Sequence, residues 1–241
     1  LDWREGDNVV TLADEFPSRI YTWRAAVRRA GAELLTVTRE RGQSWTEAVL
    51  TALDERVAIV SVPNVHWTDG ALVDLGAVAA RTRDVGARLV IDGSQSIGAM
   101  PLDPAALHAD FVVTVGYKWL LGPYGLGYLY VAEEHRDGEP LEENWITREG
   151  AEDFSRLVDY SGAYQPGARR FDVGERTKFE IVPMAIEALE QLLEWGVAVV
   201  AAELAVRSSV EGYYSQPETI GVIGAARRSM GAYNRWLHFM G

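Results

Sequence analysis

The sequence contains no cysteine. Its 241 residues therefore supply no disulfide, no thiolate metal site and no thiol nucleophile. Lysine is nearly absent as well. Only Lys118 and Lys178 occur, so side-chain amine chemistry has two addresses. Excess positive charge is also lacking. The formal balance is -12, which disfavours nucleic acid and membranes as partners, since both call for clustered cations. No apolar run is long enough to span a bilayer, and no repeat or low-complexity tract stands out. With no signal peptide in view a cytoplasmic location is expected, although the opening LDWREGDNVV reads as mid-domain sequence.

What is present is the pattern of a folded α/β chain. The apolar share of 48% is ordinary for a globular protein, and the length suits one large domain or a domain and a half. Short apolar runs bounded by turn residues predict strands at 8–13, 33–37, 57–62, 89–91, 111–115 and 128–131. Helical spacing predicts helices at 20–30, 45–53, 72–85, 183–195 and 197–210. Gly31 ends the first, Ser44 and Glu47 open the second as a capping box, and Pro183 and Gly196 bracket the fourth. Residues 103–107 read as one helical turn, and 133–156 as charged and irregular, with Trp145 suited to the core, an interface or the substrate side. Alternating strand and helix predicts a three-layer α/β sandwich with a mostly parallel central sheet.

In such sheets ligands bind at the carboxyl ends of the strands. Asp92 and Lys118 each follow a predicted strand and should face one crevice. An acid and a lysine alone fit a surface ion pair equally well. The glycines at 122, 125 and 127 precede a strand instead of opening a helix, so they are turn residues and not a dinucleotide fingerprint. The loop after residue 62 offers Asn64, His66 and Asp69. A lone loop histidine is commonly just exposed, and Asp69 is equally suited to bracing the turn at Gly70. Arg169 and Arg170 suit a carboxylate by a bidentate fork, or form a solvated basic turn.

The run Asp92-Gly93-Ser94-Gln95-Ser96-Ile97-Gly98, then Asp110-Phe111, then Tyr117-Lys118-Trp119-Leu120-x-Gly122-Pro123-x-Gly125-x-Gly127 resembles the pyridoxal-phosphate (PLP) segment of class V aminotransferase-fold enzymes. That family includes cysteine desulfurases, kynureninases and isopenicillin-N-epimerase-like proteins. The resemblance covers about 6–204. It implies a PLP-binding major domain over 1–180 with its N-terminal part missing, then connecting helices and an incomplete small domain over 181–241. It implies Lys118 as the Schiff-base lysine and later the proton carrier, and Asp92 as the partner of the pyridine nitrogen. Gln95 falls to the phenolic oxygen, Tyr117 to the phosphate, and Phe16, followed by Pro17, to stacking on the ring. Phe16 as core filler and Tyr117 as a packed aromatic remain the plain alternatives. Gly174-Glu175 stands where relatives carry a Gly-Thr-type turn, so the neighbour-to-phosphate contact made by that hydroxyl is not expected.

The implied activity is PLP-dependent chemistry on an amino acid through an external aldimine. Phe16-Pro17 and Tyr117-Lys118 resemble the kynureninase pattern and lean towards a lyase of the C–S or other β-elimination type. A class V aminotransferase or an epimerase is the alternative, and a non-catalytic fold relative is the alternative of another class. A persulfide-forming desulfurase is disfavoured by the missing thiolate. A homodimer is implied, and no metal is.

Overall fold

A computed structural model describes residues 3–175 and 178–210; the end of the expected small domain, 211–241, lies outside the described residues. Six strands form one sheet in the order β2-β1-β3-β4-β5-β6. They are β1 (Asn8–Leu12), β2 (Glu33–Val37), β3 (Val57–Pro63), β4 (Arg88–Asp92), β5 (Phe111–Val115) and β6 (Gly127–Val131). The first five run parallel, and β6 returns antiparallel to β5. The helices are α1 (Pro17–Ala30), α2 (Trp45–Ala52), α3 (Leu75–Asp84), α4 (Val182–Trp195) and α5 (Val197–Val210).

Strand periodicity sorts the apolar side chains into two layers. Val10, Leu12, Val60, Val62, Leu89, Ile91 and Val112 pack with Trp45 and Val49 of α2 and with Leu75 and Val78 of α3. Val9 and Ile59 point the other way and pack with Val27 of α1, flanked by Trp23. The sheet is thus covered on both faces, as the alternation predicts, and each fully buried Val, Leu or Ile contributes about 1.5–3 kcal/mol. The order reverses between β1 and β3, which makes a topological switch point at their carboxyl ends.

Two helices start at other residues than the sequence pattern predicts, each for a local reason. Helix α1 begins at Pro17, not at residue 20, because proline suits the first helical position. Helix α3 begins at Leu75, not at residue 72. Asp74 caps it by accepting from the Ala77 N–H, and Leu72 is used in a bridge to Val65. The irregular stretch from 133 holds short 3-10 turns at Glu133–His135, Trp145–Thr147, Phe154–Arg156 and Gly167–Phe171. The capping box of α2 forms as expected.

Candidate active site

Four carboxyl-end segments meet along one edge of the sheet. Phe16 follows β1, Asn64 follows β3, Asp92 ends β4 and Lys118 follows β5. Backbone bonds fix their spacing. The Asn64 N–H donates to the Asp92 carbonyl at 3.3 Å, and the Gly93 N–H to the Val113 carbonyl at 2.8 Å.

Lys118 sits on a closed loop. Gly116 N–H donates to the Leu126 carbonyl and Gly122 N–H to the Gly116 carbonyl, both at 2.9 Å. The loop is also pressed by the turn after β4. A Cβ on Gly98, whose φ is +100°, would lie 2.3 Å from the Trp119 carbonyl oxygen. Only glycine allows this approach, and it seats the residue next to Lys118. The Lys118 Nζ lies 5.9 Å from the Phe16 ring centroid and 6.0 Å from that of Tyr117. Burial pushes its pKa below the usual lysine value, and the nearby Asp92 carboxylate opposes this in part. Among the described residues Lys118 forms no ion pair within 4.0 Å.

Asp92 is held by the Ser94 N–H at 2.9 Å, and its other oxygen lies 3.9 Å from Nη1 of Arg19. Phe16 is not core: 43% of it is exposed, with Trp67 edge-on at 5.4 Å. The Trp67 indole N–H donates to the carbonyl of Asp14. Asp14 is a non-glycine residue at φ +55°, so this bond stabilises the bend that presents Phe16. Tyr117 stacks on Tyr124 at 4.2 Å. Gln95 lies partly buried in the turn after Asp92.

The remaining candidates lie elsewhere or are already engaged. His66 is a core histidine, fully buried. Its Nε2 is 2.9 Å from the Ala13 carbonyl, its Nδ1 is 2.9 Å from the Thr68 hydroxyl, and Trp45 packs on its ring. Asp69 braces its own turn through the Ala71 N–H and pairs with Arg39. Arg170 donates to the Gly138 carbonyl and to Asp137, while Arg169 is exposed. Among the described residues no hydrogen bond or ion pair joins either arginine to Lys118, Asp92 or Phe16. Asp110 is structural: it accepts from the Leu89 N–H at 2.7 Å and pairs with Arg88 and His135. It forms a possible ligand group with Glu134 and His135, but its oxygens are already bonded.

Sequence reasoning missed Glu15, Arg19 and Ser61. Glu15 is buried at 7% exposure, and Arg19 bonds it at 3.1 Å. The available signal was an acid and an arginine four residues apart, beside the expected stacking residue. Ser61, inside an apolar strand, carried none.

The donor set suits PLP: a desolvated amine, a carboxylate and an open aromatic face converge on one crevice. The comparisons agree. A model for aminotransferase class-V matches residues 1–231. A protein of Mycobacterium leprae named probable cysteine desulfurase 2 is 31% identical over 223 residues, which is 91% of this chain and 51% of that protein. An uncharacterized aminotransferase of Bacillus subtilis is 30% identical over 79% of this chain and 49% of its own. Among solved structures, a cystine C–S lyase in complex with its product cysteine persulfide superposes with a TM-score of 0.78 at 22% identity, over 92% of this chain and 62% of that one. A mutant of that lyase carries glycine covalently linked to PLP. The chain spans about half the length of these curated relatives.

Proposed function

We propose a reaction for this chain from one premise: it belongs to the aminotransferase class-V family of PLP-dependent enzymes. The reaction is C–S or related β-elimination on an amino acid, with PLP held by Lys118. The observation that carries this reading is the convergence of Asp92 and Phe16 on the desolvated amine of Lys118. When bound, PLP supplies an electron sink for the carbanion left by bond cleavage.

The residues would divide the work as follows. Lys118 attaches the cofactor through its amine, and burial makes that amine easier to deprotonate than a free lysine. Once substrate takes its place, the freed amine is positioned to move the α-proton. Asp92 keeps the ring nitrogen protonated by charge pairing. Phe16 would stack on the ring, Gln95 would hydrogen-bond the phenolic oxygen, and Tyr117 would contact the phosphate. Asn64, whose backbone is tied to Asp92, is the best placed of the substrate candidates. His66, Asp69 and Arg170 are engaged in the fold, which leaves Arg169 as the more open cation for a carboxylate.

None of these 241 residues supplies a thiolate on which a persulfide could form. The relative that is a cystine C–S lyase makes cysteine persulfide as a product. The proposal extends to a cytoplasmic homodimer: Leu141, Phe154, Val158 and Tyr160 are all at least 70% exposed in one segment, and isologous pairing is the common way to cover such a surface. Sedimentation that finds a fully active monomer would refute that part.

Borohydride reduction of the PLP-loaded protein, followed by peptide mapping, tests the site. The tag should fall on Lys118. A tag on Lys178 overturns the assignment. Release of an oxo-acid and ammonia from cystine or a related amino acid tests the reaction.

A further inference from the structure

The mechanism leaves one buried charged cluster unused, and it lies directly behind Asp92. The Arg19 side chain is 10% exposed, and that of Glu15 only 2%. Nε and Nη2 of Arg19 both donate to the Ser61 hydroxyl oxygen, at 3.2 and 3.0 Å. The Trp23 indole N–H donates to the same oxygen at 2.8 Å. Ser61 is itself buried in β3, so one edge of the planar guanidinium is anchored to the sheet. The remaining nitrogen, Nη1, lies between two acids: 3.1 Å from Glu15 Oε1 and 3.9 Å from Asp92 Oδ2.

The charges in this cluster do not cancel. Glu15 and Asp92 contribute two negative charges and Arg19 one positive. Burial pushes the Glu15 carboxyl above its usual range, Arg19 and His66 oppose this, and Asp92 adds to it. Lys118 also interacts electrostatically with Asp92, but its charge is disfavoured by burial. A cation arriving at Asp92 would balance the group.

We infer that Glu15 and Arg19 are positioning residues for Asp92: Arg19 steers the carboxylate, and Glu15 neutralises Arg19 so that Asp92 keeps its charge for a protonated ring nitrogen. This rests on the reading of Asp92 given above. It separates two roles that a lone aspartate cannot combine. A neighbouring guanidinium holds the carboxylate in place, yet uncompensated it would compete with the ring nitrogen for the same charge. Nearby charges at such distances shift a titration by about one to three pH units.

The test is nitrogen NMR of the holoenzyme carrying ring-¹⁵N PLP, recorded across pH. Glu15→Gln leaves Arg19 uncompensated, and the ring proton should be lost about one pH unit lower, a tenfold change in protonated fraction. Glu15→Gln with Arg19→Gln removes both charges and should return the midpoint towards wild type. Arg19→Lys keeps the charge but loses the fork, so the midpoint should stay in place while turnover falls. A midpoint unmoved by Glu15→Gln overturns the proposal. So does a double variant at least as shifted as the single one, because that is what a purely structural role would give. If Glu15→Gln does not fold, Arg19→Lys decides: a shifted midpoint overturns the proposal. Asp92→Asn is the control. If it too leaves the ring nitrogen unchanged, the reading of Asp92 has failed and not the clamp alone.

Discussion

Two regions of this molecule carry charged and aromatic side chains, and they use them in opposite ways. In the segment from 133 to 175 Arg148, Arg156 and Arg170 are paired within the segment. Arg148 pairs with Glu143, donates to the Gly162 carbonyl and lies 4.1 Å above the Tyr164 ring. Arg170 bonds Asp137 and the Gly138 carbonyl. Trp145 bonds Glu175. Its short 3-10 turns leave many backbone groups to be satisfied by side chains, and these are what satisfy them. At the carboxyl edge of the sheet, by contrast, regular strands satisfy the backbone. Lys118 and the face of Phe16 are left for a ligand. A charged residue near a crevice is a candidate only if the fold has not already employed it.

The strongest test of the contrast is to remove the free amine. Lys118→Ala should abolish covalent PLP attachment and lower turnover by about 10²–10⁴, read by visible absorbance and product release. Asp92→Asn should come next. The amide can still accept a hydrogen bond but cannot match a charge, so PLP stays attached while turnover falls about 10²–10³. Turnover within a few-fold of wild type would show that Asp92 does not serve the ring.

Gly98→Ala probes the seat of the lysine loop without touching a reactive group. The added Cβ would lie 2.3 Å from the Trp119 carbonyl, at a φ of +100°. A stability loss of about 1–3 kcal/mol is expected, with turnover down roughly tenfold from misplaced Lys118. Thermal melts and kinetics on one preparation would show both.

The pH dependence of PLP capture sharpens the electrostatic side. Only the unprotonated amine attacks, so capture should rise with pH and level off once Lys118 is neutral. Burial lowers the Lys118 pKa from 10.5, so the plateau arrives at lower pH than for an exposed lysine. Asp92 raises that pKa, so Asp92→Asn should move the midpoint further down. A midpoint moved upward would contradict the pairing. The smallest effect is expected in the other region. Arg170→Gln should cost about 1 kcal/mol of stability and leave KM within about twofold, whereas a large rise in KM would restore Arg170 as a substrate contact.

Much of this was legible in the sequence. The short runs at 33–37 and 111–115 match strands β2 and β5 residue for residue, because strand-forming runs bounded by turn residues are a local signal. Ser44 and Glu47 marked the start of α2, since a capping box is a local bond pattern. The placing of Asp92 and Lys118 at strand ends followed from the same punctuation, whereas Phe16 was named through the family resemblance. Tertiary structure decided the rest. No local pattern could tell that His66 is buried against Trp45, that Asp69 belongs to Arg39, or that β6 turns back antiparallel. Nor could it reveal that Ser61 anchors Arg19 across a gap of 42 residues. Sequence spacing reports which face of a strand or helix a residue occupies, because that depends on backbone geometry alone. Whether a polar group is left free or already paired depends on partners brought close only when the sheet assembles.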